Sequence, residues 1–317
     1  MAITIARSHP IYDIEAVQNA QTRAKAMQSA ELDAFYEQML SLGAERFITT
    51  PSSPDALDSL YEECPNFGEV LDDMSRYVGL ALAGGSSFHV MPVLLLGDPG
   101  VGKTHFGKRL ANALATEFEF ISMNALSAGF VITGSSSSWK GAKCGKVAER
   151  LVRGKFANPV VLLDEVEKAT GSTQSDPMAA LYQLLEPETS RNFHDEYIDV
   201  DVDASQVFWV LTANSLEGIP EPLLDRMAIY EVPAPTSEQA ASIGQRIYSM
   251  LLDELKLEKF EPELNESVLA RLADISPREM RKALFDGLSF AVAAGRNALV
   301  SEDLRMKAEP GKRKIGF

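Results

Sequence analysis

The chain has 317 residues, of which 45% are hydrophobic and 24% are charged, and its formal net charge is −15. This balance is typical of a globular protein and excludes a disordered or fibrous chain. No apolar run approaches the ~20 residues that span a bilayer, and the net negative charge argues against nonspecific binding to nucleic-acid phosphates.

The N-terminal stretch MAITIARSHPIYDIEA has no apolar segment followed by a small-residue cleavage site, so we expect no secretory signal. The two cysteines, Cys64 and Cys144, cannot form a disulfide framework, and neither has a second cysteine or a histidine at metal-ligand spacing. We therefore expect a cytoplasmic protein without a membrane partner and without a metal site built from side chains alone.

Four regions follow one another along the chain. Residues 1–60 are predicted to be helical, with a helix over residues 14–42 that is stopped by Gly43. From residue 90 to residue 232, β-rich runs alternate with helical segments, and these runs are VMPVLLL, FEFISM, PVVLL, VFWVLTA and AIYEV. That alternation predicts an α/β fold with a parallel sheet between helices. The predicted core covers residues 61–234, a helical domain residues 235–306 and a flexible tail residues 307–317.

Two helix starts can be read in the C-terminal helical domain. Thr236 with Gln239 fits a capping box, and Ser276 with Glu279 fits a second one that has Pro277 at the first helical position. Both patterns predict helices that begin at these residues.

The segment GDPGVGKT, residues 97–104, fits the phosphate-loop pattern G-x-x-x-x-G-K-[ST]. It lies directly after a predicted strand and directly before a predicted helix, which is where a phosphate loop must lie. Backbone N–H groups of such a loop surround the β-phosphate, and the helix N-terminus favours negative charge. The predicted nucleotide-binding residues are Gly97, Asp98, Pro99, Gly100, Val101, Gly102, Lys103 and Thr104. We expect Lys103 to contact the β- and γ-phosphates and the Thr104 hydroxyl to bind Mg²⁺.

A buried run, PVVLL, ends in the two acidic residues Asp164 and Glu165. The carboxyl ends of parallel strands face the crevice where ligands bind. We expect Asp164 to hold Mg²⁺ and Glu165 to act as the general base that activates the attacking water.

Three further polar residues are candidates for the same site. Asn214 follows the run VFWVLTA and could orient the attacking water. Arg226 ends a short helical segment and could reach a neighbouring subunit as an arginine finger, or pair locally with Asp225 or Glu221. Arg278 lies in the first turn of a helix, where a cation is unfavourable unless a phosphate compensates for it.

The segments NPVVLLDEVEKAT, DPMAALYQLLEPETSRNFHDEYIDVDVDAS and VFWVLTANSLEGIPEPLLDRM, taken with the phosphate loop, resemble an AAA+ ATPase module. Within that superfamily they are most similar to the ATPase part of Lon proteases, over roughly residues 60–305. The resemblance implies an αβα core with a helical lid, ATP and Mg²⁺ at their junction, and a ring of six subunits. It also assigns Asn214 as sensor one, Arg226 as the arginine finger and Arg278 as sensor two.

The segment Asn66-Phe67-Gly68 resembles the His-Tyr-Gly segment of the family's adenine pocket, with Phe67 in place of tyrosine. The peptidase domain of a Lon protease has no match in residues 280–317, so we expect an ATPase without peptidase activity, for which a separate peptidase is a candidate partner. The last residues, Ile315-Gly316-Phe317, are similar to the tripeptide by which Clp-type unfoldases dock on their peptidase, and the alternative is a plain disordered tail.

The loop GSSSSWKGAKCG lies after the strand FEFISM, where Lon proteases have a pore loop with an aromatic–aliphatic pair followed by glycine. Trp139, Lys140 and Gly141 fall on that segment, which implies a polypeptide substrate. Lys140 replaces the aliphatic residue by a cation and would favour acidic substrate segments. The alternative for Trp139 is that it packs against its own subunit and anchors the loop.

Two functions are therefore considered. The first is an ATP-driven unfoldase or remodelling motor that acts on polypeptides as a homo-oligomer. The second is a nucleotide-gated assembly or switch module, such as a DNA-transaction loader or a signalling ATPase, that does not thread protein. The net charge argues against DNA as a direct partner.

Overall fold

The computed structural model describes residues 3–85, 88, 90–124, 128–169 and 176–305. The chain forms two compact units. The first unit contains Met1–Tyr61, Phe67–Gly97 and Lys103–Val232, and the second contains Glu62–Asn66, Asp98–Gly102 and Pro233–Phe317. None of the helices in the described part of the chain is long and apolar enough to cross a membrane.

The strands are β1 (Ile3–Pro10), β2 (Glu45–Pro51), β3 (Val93–Leu96), β4 (Phe118–Ser122), β5 (Val160–Asp164), β6 (Phe193–Asp195), β7 (Val200–Val202), β8 (Phe208–Ala213) and β9 (Ala228–Glu231). The helices of the first unit are α1 (Ile14–Ala26), α2 (Ala30–Leu42), α3 (Asp58–Glu63, whose last two residues belong to the second unit), α4 (Gly68–Gly84), α5 (Lys103–Ala113), α6 (Ala128–Thr133), α7 (Lys146–Arg153), α8 (Pro177–Leu184), α9 (Pro187–Ser190) and α10 (Glu221–Leu224). The second unit adds α11 (Ser237–Leu255), α12 (Glu266–Leu272) and α13 (Pro277–Ala293). Single 3-10 turns cover Pro54–Leu57, Pro65–Phe67, Val166–Lys168 and Ser301–Asp303.

The central sheet of the first unit has five parallel strands in the order β4-β5-β8-β3-β9. Strands β5 and β8 lie inside this sheet, and their apolar side chains are buried on both faces. Uninterrupted apolar runs are typical of parallel strands that helices cover on both sides. The predicted α/β fold with a parallel sheet is thereby confirmed.

The register of the sheet brings three strand ends to one edge. Leu96 at the end of β3 pairs with Ala213 at the end of β8, and Leu163 of β5 pairs with Leu211 of β8. The residues that follow these strands consequently emerge side by side, which is the arrangement that a ligand site at the carboxyl edge requires.

The N-terminal region differs from its prediction in two respects. The helix predicted over residues 14–42 is two helices, α1 and α2, because the chain turns at Gln28, which has a φ of 58°. Strands β1 and β2 form an antiparallel pair that the sequence analysis does not predict. Residues up to Tyr61 belong to the same compact unit as the sheet. The helical periodicity in the middle of the region hides the two strands at its ends.

The second unit is helical, and its helix starts agree with the sequence. The Thr236–Gln239 and Ser276–Glu279 capping boxes are both formed, at the first residues of α11 and α13. Apolar side chains of α11, α12 and α13 enclose one small core. Both capping boxes could be predicted from sequence because the two partners of each lie within a single helical turn.

Arg46 of β2 is buried in the first unit, with 4% of its surface exposed. Its guanidinium donates hydrogen bonds to the backbone carbonyls of Leu151 (2.9 Å) and Val152 near the end of α7, and of Gly43 and Glu45 (2.8 Å each). A cation at the last turn of a helix is favoured by the helix dipole. Arg46 therefore joins the N-terminal strand pair to α7.

We expect Arg46→Met to lower the free energy of unfolding by about 3 kcal/mol, because it leaves buried carbonyls without a donor. Urea denaturation would measure the loss. The matched control is Arg23→Met, because Arg23 pairs with Asp199 in solvent and such pairs contribute ~0–1 kcal/mol. Equal losses for the two variants would contradict the role assigned to Arg46.

Candidate functional site

The predicted phosphate loop connects β3 to α5, as the motif requires. Gly100 and Gly102 have φ values of 91° and 110°, which only glycine adopts without strain. A Cβ atom at Gly97 would lie 2.4 Å from the carbonyl oxygen of Val232, so that position also requires glycine. The conformation of the loop therefore depends on the glycines that define the motif.

Lys103 begins α5 and is largely buried, with 8% of its surface exposed. Its ammonium nitrogen Nζ donates hydrogen bonds to the carbonyl oxygen of Gly97 at 2.5 Å and to Oδ1 of Asn214 at 3.1 Å. Two of the predicted residues, Lys103 and Asn214, are thus in direct contact.

Thr104 and Asp164 also meet. The Thr104 hydroxyl donates to Asp164 Oδ1 at 3.1 Å. Cis ligands of an octahedral Mg²⁺ with bonds of 2.0–2.1 Å lie about 3 Å apart, and Mg²⁺ prefers oxygen ligands. These two oxygens therefore fit the predicted magnesium site in both spacing and chemistry.

Thr212 of β8 is a contributor that the sequence analysis missed. Its side chain is 1% exposed, its hydroxyl donates to Asp164 Oδ1 at 2.8 Å, and its oxygen accepts the backbone N–H of Glu165 at 3.0 Å. One hydroxyl thus orients both acidic residues. The signal in the sequence is a lone polar residue within the apolar run VFWVLTA.

Glu165 has a left-handed backbone conformation, with φ 58° and ψ 53°. Such a conformation is strained for a residue with a side chain, and strained residues of this kind cluster at functional sites. The carboxylate accepts hydrogen bonds from Asn124 Nδ2 at 3.1 Å and from Lys168 Nζ at 2.5 Å. The hydrogen bond with Glu165 raises the pKa of Lys168. The carboxylate is therefore oriented by its neighbours on both sides.

Asn214 is fixed by a second acidic residue, Glu167. Glu167 Oε1 accepts hydrogen bonds from the backbone N–H of Asn214 at 3.1 Å and from its side-chain Nδ2 at 2.8 Å. With Oδ1 facing Lys103 and Nδ2 facing Glu167, the amide has one defined orientation. Glu167 was not predicted as a site residue, although it is the third acidic residue of the segment DEVEK.

Arg278 belongs to the second unit together with residues 98–102 of the phosphate loop. A Cβ atom at Gly100 would lie 3.1 Å from Ser276 Oγ and 3.5 Å from the Cβ of Arg278, so the first turn of α13 lies against the loop. Arg278 is exposed, and no carboxylate in the described ranges forms an ion pair with it. Asn66 of the same unit donates to the carbonyl oxygen of Val101 at 3.3 Å.

Phe67, predicted to contact adenine, belongs to the first unit and is 2% exposed. Its ring stacks on Phe106 of α5, with 4.4 Å between the ring centroids.

Arg226 lies after α10 and pairs with Glu186, with 2.7 Å between Nε and Oε2. It also donates to the carbonyl oxygen of Pro222. The local partner is thus Glu186, and not Asp225 or Glu221 as the sequence alternative had it. About a third of the side chain, 31%, remains exposed.

The loop of residues 134–145, called here the Trp139 loop, separates α6 from α7. Trp139 is 52% exposed. Its indole packs edge-to-face with the Phe130 ring, with 5.4 Å between the ring centroids. Its backbone N–H donates to the carbonyl of Ser136, and its carbonyl accepts from Ala142. Lys140 and Gly141 are exposed at the tip. Trp139 is therefore braced by its own subunit and still offers an apolar surface to solvent.

The predicted tail, residues 307–317 with Ile315-Gly316-Phe317, lies outside the described residues, and its docking role stays a prediction.

Residues 93–233 match the family described as the ATPase family associated with various cellular activities (AAA). The chain is 37% identical to the Lon protease of Porphyromonas gingivalis over 188 residues, which are 59% of this chain and 22% of that protein. It is 40% identical to Lon protease 2 of Desulfotalea psychrophila over 173 residues, which are 54% of this chain and 22% of that protein. The solved RuvB Holliday junction branch migration motor of Thermotoga maritima aligns with a TM-score of 0.48 and 17% identity, over 75% of this chain and 66% of that chain. The chain spans about a fifth of the length of the curated relatives that it matches.

We expect Thr212→Val to weaken the binding of Mg-ATP by about tenfold, because residues that orient metal ligands typically contribute that much. Isothermal titration calorimetry with and without Mg²⁺ would measure the effect. Thr212→Ser keeps the hydroxyl and should bind as the unaltered protein does. Equal weakening by valine and serine would show that the hydroxyl is not what orients Asp164.

Proposed function

We propose that this chain, whose residues 93–233 match the AAA family and which is similar to Lon proteases, hydrolyses Mg-ATP to ADP and phosphate and uses the reaction to unfold or remodel polypeptides. The observation that supports the ATPase activity most directly is the set of hydrogen bonds at the sheet edge. Lys103 donates to Asn214, Thr104 donates to Asp164, and Thr212 links Asp164 to Glu165. The proposal assigns no peptide-bond hydrolysis to these residues.

In the proposed reaction, Lys103 contacts the β- and γ-phosphates, and Thr104 and Asp164 would hold a Mg²⁺ ion that would neutralise charge on the phosphate oxygens. Glu165 accepts a proton from the attacking water. Asn214 places its amide beside the γ-phosphate, and Glu167 keeps that amide in one orientation. Arg278, which has no ion-pair partner among the described residues and lies beside Gly100, supplies positive charge to the nucleotide.

We further propose that the protein works as a homo-oligomer, with six subunits in a ring. Glu186 holds the Arg226 side chain at the surface, partly exposed. A guanidinium held in this way can be presented to the nucleotide of a second copy, a contact worth ~10³–10⁵ in rate in other phosphoryl-transfer systems.

The proposed substrate is an extended polypeptide that contacts Trp139, Lys140 and Gly141. A half-exposed indole on a short, hydrogen-bonded loop gives an apolar contact at low entropic cost. The adjacent ammonium of Lys140 favours segments that carry acidic residues. We place this activity in the cytoplasm, and a separate peptidase remains a proposed partner.

We expect Glu165→Gln to lower ATP turnover by about 10²–10⁴, because the base is lost while the phosphate loop is retained. ATP should remain bound to this variant, whereas Lys103→Ala should lose ATP binding. Phosphate release and nucleotide retention on a desalting column would measure the two effects. Glu188→Gln alters an exposed carboxylate on α9 and serves as the control. Turnover that is unchanged in both Glu165→Gln and Lys103→Ala would refute the ATPase proposal.

Trp139→Ala separates the polypeptide motor from a nucleotide-gated switch. We expect it to abolish most of the stimulation of ATPase activity by an unfolded protein such as casein and to leave basal turnover unchanged, because the indole contacts substrate and not nucleotide. Trp139→Phe should retain part of the stimulation, since an aromatic surface remains. If unfolded proteins do not stimulate the unaltered chain, the switch function is favoured instead.

A further inference from the structure

Asp195, the last residue of β6, is a carboxylate that is completely buried, with 0% of its surface exposed. No lysine, arginine or histidine of the described ranges forms an ion pair with it. Its oxygens accept three backbone N–H groups instead, from Gly145 at 2.8 Å, Tyr197 at 3.0 Å and Ile198 at 3.2 Å. Burial of an unpaired carboxylate is costly, so the contacts it makes identify what it holds in place.

Two of these donors belong to the turn between β6 and β7, but the third, Gly145, is the last residue of the Trp139 loop. The other end of that loop also reaches Asp195. A Cβ atom at Gly134 would lie 2.8 Å from Asp195 Oδ1, and a Cβ atom at Gly145 would lie 2.6 Å from the backbone nitrogen of Gly134. The two ends of the loop thus approach so closely that both must be glycine, and the carboxylate lies against this neck.

The neck is linked to the β6–β7 hairpin at a second point. The backbone N–H of Glu196 donates to the carbonyl of Thr133 at 2.9 Å. Within the loop, the N–H of Ser135 donates to the carbonyl of Lys143 at 3.1 Å, so the two arms stay paired above the neck. The hairpin and the loop therefore form one hydrogen-bonded assembly with Asp195 at its centre.

We propose that Asp195 is the positioning residue of the Trp139 loop: its buried carboxylate closes the loop neck and fixes where Trp139 stands. The position of Trp139 depends on these contacts. Only the expected effect on polypeptide binding rests on the proposed function. In the described ranges Asp195 contacts Gly145, Tyr197, Ile198 and Cys144 and none of the predicted nucleotide-binding residues, so basal ATPase turnover should not depend on it.

The titratable groups that face the carboxylate are Cys144 before α7, Tyr197 of the hairpin and Tyr36 of α2, with Glu149 and Arg153 of α7 facing Cys144 or Tyr197. The Cys144 thiol lies 3.7 Å from the carboxylate, and burial raises the pKa of this thiol well above its ordinary range.

Desolvation raises the pKa of Asp195 to about 6, against 3.8 for a free side chain. Opening the neck would expose the carboxylate to water and lower that pKa. Protonation below about pH 6 therefore favours the closed neck, and ionisation at higher pH favours opening.

The position of Trp139 can be followed by ¹⁹F NMR of the full chain labelled with 5-fluorotryptophan. The chain has two tryptophans, and Trp139→Phe identifies the resonance that belongs to the loop. In the unaltered protein we expect this resonance to shift between pH 5 and 7.5 with a midpoint near 6. Asp195→Asn keeps an oxygen acceptor but cannot ionise, so the shift should disappear. Asp195→Ala removes the acceptor and should move or broaden the resonance at every pH.

The matched control is Asp303→Asn in the second unit, which changes a buried carboxylate that accepts the N–H of Val300. It should leave the Trp139 titration intact. The proposal is overturned if Asp195→Asn titrates as the unaltered protein does, or if a folded Asp195→Ala leaves the Trp139 resonance unchanged. Asp195→Asn keeps the test decisive if the alanine variant does not fold.

A second readout connects the loop to function. At pH 7.5, Asp195→Ala should reduce casein-stimulated ATPase activity about tenfold, the equivalent of one to two net hydrogen bonds, and leave basal turnover unchanged. Stimulation that equals that of the unaltered protein, despite a displaced Trp139 resonance, would overturn the claim that loop position matters for substrate. Failure of casein to stimulate the unaltered protein would count against the proposed function and leave the NMR test of Asp195 valid.

Discussion

The candidate nucleotide site depends on the parallel alignment of β3, β5 and β8. Their shared register places the phosphate loop, the acidic pair Asp164–Glu165 and Asn214 at one edge of the sheet. The side chains there are then held by each other: Thr212 orients both acidic residues, and Glu167 orients the amide of Asn214. These hydrogen bonds give the site its geometry before any ligand binds, although Oε2 of Glu167 is buried without a partner among the described residues.

Two buried charges, for which the described part of the chain shows no ion pair, act at opposite ends of α7. Asp195 accepts the N–H of Gly145, the residue that caps the helix N-terminus, and Arg46 donates to carbonyls of its last turn. An anion at the N-terminus and a cation at the C-terminus both complement the helix dipole. The helix that follows the Trp139 loop is consequently fixed at both ends, by the β6–β7 hairpin on one side and by the N-terminal strand pair on the other. This gives residues 1–61 a structural role in the first unit, because without β2 the last turn of α7 would lack its donor.

The parts of this protein that could be predicted from sequence are those whose partners lie close together in the chain. The phosphate loop, the capping boxes of α11 and α13 and the five parallel strands all follow from local patterns, namely glycine spacing, hydroxyl–carboxyl pairs within one turn and apolar runs. Strands β1, β2, β6 and β7 were not predicted. The β6 and β7 strands have three residues each. Strands this short carry little local signal, because their pairing depends on how their side chains pack against neighbours in the folded protein.

The sequence by itself determined the chemistry: a phosphate loop, a strand that ends in two carboxylates, and an aromatic residue in a serine-rich loop. Only the tertiary structure decided which residues orient these groups by hydrogen bonds. Thr212, Glu167 and Asp195 are ordinary in their sequence contexts. Their roles follow from hydrogen bonds to residues 47 to 50 positions away in the chain. The physical reason is that a buried polar group is stabilised by a hydrogen-bond partner, and only the folded chain decides which distant group lies within reach of it.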